Sequence, residues 1–174
     1  DLSVISAKDV SKYKDAKILH ITGGPIIIND KVFSSFNKIT QIEITATSLT
    51  ARNESFKGLQ LETVTIKTDQ ANFNQFCFED TKIQKFIMIP NMFPDLDSGS
   101  NSSLFKFDAG SFENCFCEEM KIESEQLLFG KQSFENSQIN DIALCANVIN
   151  FDRLSFHFST LNKVDIDANT TNFG

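Results

Sequence analysis

Phenylalanine recurs along this chain at a nearly constant interval. The gaps between successive members of the series are 23, 22, 34, 22 and 22 residues, and only the third departs from the period. Self-similarity at a fixed period of this size is the sequence signature of a repeat protein. The chain is therefore predicted to fold as coils of 22–23 residues, one of them longer. The series comprises Phe33, Phe56, Phe78, Phe112, Phe134 and Phe156, and serine precedes four of the six.

Each coil carries further apolar residues at fixed distances after its phenylalanine. In one coil, Leu61, Val64 and Ile66 follow Phe56 by 5, 8 and 10 residues. The last two positions alternate with polar neighbours and are rich in β-branched residues, which predicts one short β-strand per coil. A second apolar pair lies seven and five residues before the next phenylalanine. Stacked coils would place their strands in parallel, so about seven of them would make a β-rich repeat solenoid.

The whole chain, residues 1–174, is predicted to form one domain, because its length suits a single core. The period extends back to Val10 and gives an N-terminal coil whose turn is the Gly-Gly-Pro sequence at 23–25. In the long coil, the extra residues form a polar, turn-rich stretch at about 91–103. This stretch predicts an exposed insertion loop, which is either a binding loop or a tolerated excursion.

The side chains between the inward strand positions are predicted to face solvent. Because side chains alternate along a strand, residues 7, 9 and 11 after each phenylalanine point away from the core. Most of them are polar, but Ile87 and Ile89, with Ala143 and Cys145 two coils further on, are apolar where solvent is expected. An apolar centre within a charged rim is typical of a protein interface. A shift of register in the long coil, which would turn Ile87 inward, is the alternative. The predicted ligand-binding residues are Thr63, Thr65, Lys67, Lys85, Ile87, Ile89, Glu119, Lys121, Glu123, Asp141, Ala143, Cys145, Lys163, Asp165 and Asp167, preceded by the row Gln41, Glu43 and Thr45.

The charge balance restricts the kinds of partner. The chain has 23 acidic and 16 basic residues, a net charge of −7, and only two arginines. Nucleic acid is excluded as a partner, since little is available to neutralise a phosphate backbone. No run of 18 apolar residues occurs, so no membrane insertion is expected. The 18 phenylalanines, with one tyrosine and no tryptophan, supply apolar area without a polar group and are assigned to the core.

Residues that could carry catalysis are few and scattered. His20 lies between two inward strand positions and His157 lies five coils away, so no pair of imidazoles is available for zinc or for activating a cysteine. An acidic group is either a set of paired carboxylates for acid and base work or, as we favour, a solvated charged face. We therefore predict that the protein is not an enzyme and holds no metal or cofactor. The acidic group comprises Glu113, Glu118, Glu119, Glu123 and Glu125.

The four cysteines have no zinc-binding spacing. Cys77 and Cys115, predicted on adjacent coils, are the first candidates for a disulfide, and small buried thiols are the alternative. Three Asn-X-Ser/Thr sequons begin at Asn53, Asn101 and Asn169 and are candidate glycosylation sites. A sequence so rich in asparagine, serine and threonine also produces such sequons by chance.

The repeats resemble those of the leucine-rich repeat superfamily in a form that carries phenylalanine. The segment FDAGSFENC at 107–115, followed by Met120 and Ile122, is similar to the BspA-like subfamily, and ESFKGLQLETVTI at 54–66 resembles the wider group of extracellular leucine-rich repeats. The resemblance covers about residues 10–173. It implies a right-handed solenoid with a concave parallel β-sheet that binds a protein or a glycan, usually without catalysis.

Two functions are consistent with these features. The first is a non-enzymatic recognition module, extracellular or on a cell surface, that binds a protein or glycan partner through its concave strands. The alternative is a structural or non-catalytic subunit. Since the sequence stops at Phe173 and Gly174 without a polar capping repeat, this subunit would assemble with itself or with another chain at the C-terminal end.

Overall fold

In the computed structural model, which describes residues 3–91 and 103–174, the alternating segments form parallel β-strands. Each strand pairs with the strand one coil further on, so the chain winds into a solenoid of about seven turns. The predicted fold class is thus confirmed. A short helix, α1 (Ala7–Val10), and a 3-10 turn (Ser11–Tyr13) precede the first long strand, and neither is long or apolar enough to span a membrane. The strands are β1 (Ser3–Ile5), β2 (Ile18–Ile28), β3 (Gln41–Ala51), β4 (Gln60–Lys67), β5 (Gln70–Phe73), β6 (Lys82–Ile89), β7 (Leu104–Phe107), β8 (Phe116–Phe129), β9 (Gln138–Phe151) and β10 (Thr160–Phe173).

Each complete coil contains two strand segments, whereas the sequence predicted only the first of them as a short strand. In the middle of the chain the segments are separate strands, such as β4 and β5, whereas β8, β9 and β10 each run through both. The second segment is formed by the second apolar pair of the repeat. Ala71 and Phe73 of β5 are buried and Asn72 between them is only half-buried, which is the alternation of a strand with one face in the core.

The turn predicted at residues 23–25 is not formed. Strand β2 continues through these residues, and neither glycine there has a positive φ. Gly23 pairs with Ala46 at the corner where the coil passes from its first to its second segment. The same corner in β8 and β9 holds the paired residues Ser124 and Ala146. These corners therefore take a small side chain on extended backbone, and Gly23 fits there without a positive φ.

Two columns of stacked phenylalanine rings fill the core. Neighbouring rings of the repeat series lie 4.9–5.2 Å apart between centroids, with interplanar angles of 3–17°. A second column, built from the second strand segments, has centroid distances of 5.0–5.2 Å. These distances match the spacing of neighbouring strands, so parallel stacking brings equivalent rings into contact. The second column is Phe73, Phe107, Phe129, Phe151 and Phe173.

The turns around the repeat phenylalanines form the turn side of the solenoid. From Phe56 onward, the residues two positions before and two positions after each ring lie in the left-handed region. In one coil these are Glu54 and Gly58, with φ of 56° and 76°. The residue directly before the ring is a buried serine in most coils. Its hydroxyl donates to the carbonyl three residues earlier, as Ser111 does to Asp108 at 2.5 Å. The serine that recurs before phenylalanine therefore closes the turn internally.

The predicted insertion begins at the corner between the two strand segments of its coil. Strand β6 ends at Ile89 and β7 begins at Leu104, whereas only two residues separate β4 from β5. Residues 92–102 of the predicted loop lie outside the described residues. Strand β7 pairs in register with β5, so the coil closes like its neighbours.

Candidate functional site

The outward side of the first strand segments, here called the strand face, holds all of the predicted ligand-binding residues. Parallel pairing aligns them in columns across β3, β4, β6, β8, β9 and β10. Each member is half-buried or exposed, as the alternation predicts. Two columns are continuous: Gln41, Thr63, Lys85, Glu119, Asp141 and Lys163; and Glu43, Thr65, Ile87, Lys121, Ala143 and Asp165. The third has two paired parts: Thr45, Lys67 and Ile89; and Glu123, Cys145 and Asp167.

Ile87 lies on the outward side of β6. Its neighbours Phe86 and Met88 are fully buried, and Ile87 itself pairs with Thr65 on one side and Lys121 on the other. The alternative in which a register shift turns Ile87 inward is therefore wrong. An aliphatic side chain here is half-exposed at a position where the paired residues of β4 and β8 are polar.

Ion pairs surround this aliphatic position. The ammonium group of Lys85 lies 3.0 Å from a carboxylate oxygen of Glu119, and Lys121 lies 2.6 Å from Glu123. The hydrogen bond to Glu123 raises the pKa of Lys121. All four side chains remain well exposed, so water and salt screen both pairs and each exchanges partners at little cost to stability.

The apolar residues of the strand face form two separate spots. Ile89, Pro90 and the stem of Lys67 line a shallow depression of about 300 Å³ next to Ile87. Ala143 and Cys145 line a smaller depression of about 180 Å³. The ion pair of Lys121 with Glu123 lies between the two spots, because β8 separates β6 from β9. The predicted apolar centre is thus narrower than its sequence suggests, and Ile87 and Ile89 dominate it.

The candidate catalytic residues do not converge. His20 contacts Glu43 on the strand face, 2.9 Å away, and His157 contacts Glu135 on the turn side, 3.1 Å away. Within residues 3–91 and 103–174, no three His, Cys, Asp or Glu side chains are grouped so that they could hold a metal ion. Members of the acidic group bind different partners: Glu118 accepts from Asn140, Glu119 pairs with Lys85, Glu123 pairs with Lys121, and Glu125 accepts from Asn147.

The predicted disulfide is not formed, since all four cysteines are free. Cys77 precedes a repeat phenylalanine and takes the place of Ser111 in the next coil, whereas Cys115 follows a repeat phenylalanine and takes the place of Ser137. The two residues therefore occupy different positions of the coil and are not paired by the stacking. Burial raises the pKa of both thiols and raises that of Cys117 to about 12, which makes them unreactive. Cys145 is exposed on the strand face.

The two sequon asparagines that lie in the described part of the chain are accessible to solvent. Asn53 is exposed on the turn side, and Asn169 is exposed on β10, where its amide donates to Asn147 at 3.1 Å. Ser55 of the first sequon is fully buried, with its hydroxyl bonded to the carbonyl oxygen of Arg52. Asn101 lies outside the described residues. Glycosylation stays a prediction.

The sequence did not lead us to predict the hydrogen bonds between equivalent side chains of neighbouring coils, which we call side-chain ladders. Asn162 donates to Asn140 at 2.8 Å and Asn172 donates to Asn150 at 2.7 Å, each across one coil. A polar side chain repeated at intervals of 22 residues is the signal that could have revealed these ladders, because parallel stacking places such residues side by side.

Strand β10 exposes apolar side chains whose equivalents in the preceding coil are buried in the core. Val164, Ile166 and Phe173 have exposed fractions of 49%, 37% and 70%, whereas their paired residues in β9 are buried. A parallel strand laid along β10 would cover them. Assembly with another copy or subunit at this edge stays a prediction.

Comparison with known proteins agrees with this architecture. The sequence profile of the BspA type leucine rich repeat region matches six copies, over residues 8–99 and 99–174. No curated protein and no solved structure matches the chain. The profile covers nearly all of the coils described above, with their parallel strands and repeat phenylalanines. The chain therefore belongs to the BspA-type leucine-rich repeat family.

Proposed function

We propose that this chain is a non-enzymatic recognition module that binds a partner protein through its strand face, centred on Ile87 and Ile89. The family supports a protein-interaction role in general, because leucine-rich repeats generally mediate protein interactions and are generally not catalytic. The observation that carries the choice of surface is the half-exposed aliphatic side chain of Ile87 between polar residues of the neighbouring strands.

The arrangement of the strand face has the anatomy of a small interface. An aliphatic spot at the centre gains free energy when a partner excludes water from it, and fully burying one isoleucine is worth about 1.5–3 kcal/mol. The exposed ion pairs at Lys85 and Lys121 form a polar rim, which selects the partner by charge more than it adds affinity. A partner with an apolar side chain flanked by charges of both signs fits this surface.

The proposed site of action is the cell surface or the extracellular space. BspA-type repeat proteins are typically bacterial surface or secreted proteins. The exposed sequon residues Asn53 and Asn169 are also accessible to modification. In such a place a rigid repeat scaffold presents a constant surface to a partner outside the cell.

Capture of partners by matched variants tests the proposal. The full chain, Ile87→Glu and the control Phe158→Glu would each be immobilised and exposed to one mixture of extracellular proteins, and bound proteins would be quantified by mass spectrometry. Phe158 is the control because its ring is 75% exposed on the turn side. We expect at least one protein to be retained by the wild type and by Phe158→Glu and to be depleted at least about tenfold by Ile87→Glu.

Circular dichroism and the unfolding midpoint of each variant must accompany the capture. Retention of every bound protein by a folded Ile87→Glu variant would place recognition elsewhere. If Ile87→Glu itself fails to fold, Ile89→Lys is the second variant, since Ile89 lies on the same outward side of β6. Loss of binding in Phe158→Glu as well would indicate a general surface effect and would also contradict the proposal.

A further inference from the structure

A groove separate from the strand face lies at the beginnings of β4, β6 and β8. We call it the corner groove, and it has a volume of about 460 Å³. Grooves of this size accommodate small molecules. Its lining comes from four successive coils, so it extends over roughly 14 Å, which is three strand spacings. The exposed or half-exposed side chains that matter are Asn37, Gln60, Glu62, Lys82, Gln84 and Phe116.

Three side-chain amides in the corner groove are unpaired. Asn37, Gln60 and Gln84 are exposed, and none has a hydrogen-bond partner among the residues that the structure describes. On β9 and β10, in contrast, side-chain amides pair with each other between coils, as Asn162 does with Asn140. Each primary amide offers two donor hydrogens and one acceptor oxygen, so the groove presents an uncommitted set of both.

Phe116 supplies a flat apolar surface beside these amides. It stands in a column whose other members are polar, namely Gln60, Lys82, Gln138 and Thr160. The ring is half-exposed, lies outside the core cluster and stacks on no ring within the described part of the chain. The repeat ring Phe112 of the same coil and Phe86 of the neighbouring strand β6, in contrast, pack inside. Phe116 therefore adds nothing to the ring columns and is free to pack on a ligand.

The charges of the corner groove balance. Glu62 and Lys82 contribute one charge of each sign, and Glu62 lies 3.5 Å from the amide nitrogen of Gln41. Neither an anion such as phosphate nor a cation is favoured by such a lining. A neutral ligand that both donates and accepts hydrogen bonds fits it better.

A peptide fits the corner groove poorly. Strands β4 and β6 are paired on both sides, so no free edge is available for an added strand. The aliphatic walls Ile39, Leu61 and Ile83 are buried, so no pocket opens for an apolar peptide side chain. Among the apolar residues that line the groove, only Phe116 exposes its side chain.

We infer that the corner groove binds a neutral saccharide. Hydroxyl groups, which donate and accept, match the amides of Gln60 and Gln84, and the C–H face of a sugar ring packs on Phe116. The span of about four coils fits a short oligosaccharide rather than one sugar ring. This site does not rest on the proposed protein-binding function, since the strand face and the corner groove share no residue.

Binding of neutral glycans to the full 174-residue chain tests this inference. An array of neutral glycans would be screened first, and maltotriose, cellotriose and triacetylchitotriose would then be titrated to about 10 mM, enough to detect the millimolar dissociation constants of weak sites. The side-chain amide signals of Gln60 and Gln84 would be followed by NMR. We expect at least one glycan to shift these signals and Phe116→Ala to weaken its binding roughly tenfold. Phe158→Ala, which removes an exposed ring from the turn side, should bind as the wild type does.

Several results would overturn the inference. These are the absence of binding by any neutral glycan tested, shifts confined to the strand face, and unchanged affinity in a folded Phe116→Ala variant. If Phe116→Ala does not fold, Gln84→Ala replaces it, because Gln84 is exposed and its side chain has no partner among the described residues. Specific binding of a peptide at Gln60 and Gln84, with no glycan bound, would assign the groove to a different class of ligand.

Discussion

The turn side and the strand face follow the same repeat, yet the first is uniform and the second is varied. On the turn side, all six repeat positions hold phenylalanine, and serine precedes four of them. On the strand face, one column runs through threonine, isoleucine, lysine, alanine and aspartate. The difference shows where the fold constrains the sequence and where it leaves room for function.

The constraint on the turn side is geometric. Stacking places equivalent residues about 5 Å apart, a centroid distance at which two parallel phenylalanine rings pack in the favoured offset arrangement. A smaller residue in the column would leave a void between two rings, since the coils cannot move closer than their strand pairing allows. Residues on the strand face meet water instead, so their identities affect the backbone little.

The largest expected effect is the loss of one ring from the column. Phe112 is fully buried and stacks between Phe78 and Phe134, so Phe112→Ala should lower the free energy of unfolding by about 3–5 kcal/mol. Urea unfolding followed by circular dichroism measures the change. The matched control is Phe158→Ala, whose exposed ring should cost within about 0.5 kcal/mol. Similar losses for both variants would contradict the contrast between a constrained column and a free surface.

This contrast also explains what could be predicted from the sequence. The column of Phe33 to Phe156 could be predicted from its period. The strand positions could be predicted from the alternation of apolar and polar residues, which correctly placed Ile87 outside and Met88 inside. The strand face was therefore predictable residue by residue. The partners in its ion pairs were not, because an exposed side chain can choose a residue 22 or more positions away, as Lys85 and Lys163 do, or one two positions away, as Lys121 does.

The predictions that were wrong or incomplete failed for physical reasons. Residues 23–25 suggested a turn because glycine and proline favour turns, but the corner needs only a small side chain on extended backbone. The second strand segment was missed because a pair such as Ala71 and Phe73 is too short to distinguish a strand from a buried loop. The corner groove gave no periodic signal at all, since it joins unlike polar residues of four coils.

A medium effect is expected at the glycines that flank the phenylalanine column. Gly110 has a φ of +66°, and a Cβ there would lie 2.6 Å from the ring of Phe76. Gly58 has a φ of +76°, but a Cβ there would meet no atom within 4 Å. Gly58→Ala should therefore cost about 1 kcal/mol from the left-handed backbone alone, and Gly110→Ala about 2–3 kcal/mol, as measured by urea unfolding.

A double-mutant cycle isolates the steric part of this cost. In the background of Phe76→Ala, the ring that obstructs a Cβ is absent, so Gly110→Ala should cost about the same as Gly58→Ala, roughly 1 kcal/mol. An undiminished cost in that background would show that backbone conformation alone makes this position require glycine. Equal costs of Gly110→Ala and Gly58→Ala in the wild type would lead to the same conclusion.

The smallest effect is expected among the residues that directly follow the repeat phenylalanines, a column of the turn side in which the residue type varies from coil to coil. Directly after the repeat phenylalanines, Glu79 pairs with Lys57 and Glu135 contacts His157, whereas Glu113 stands between the two carboxylates. Partial burial, and then the charges of Glu135, Glu79 and Asp80, raise the pKa of Glu113 above its ordinary value of 4.5, and Lys57 opposes this shift. The folded chain therefore binds a proton more readily than the unfolded chain, so this group destabilises the fold as pH rises through the interval above 4.5.

Glu113→Gln should remove that penalty. At pH 7 the melting temperature should rise by about 1–2 °C, the size expected for a favourable surface change in a chain of this length. At a pH below 4.5 the gain should vanish, because Glu113 is then protonated in both states. Thermal unfolding at both pH values measures the difference, and Glu62→Gln, which removes one exposed charge from another coil, serves as the control. A gain that persists in acid, or an equal gain in Glu62→Gln, would attribute the effect to net charge. The stacked carboxylates would then be as unconstrained as the residues of the strand face.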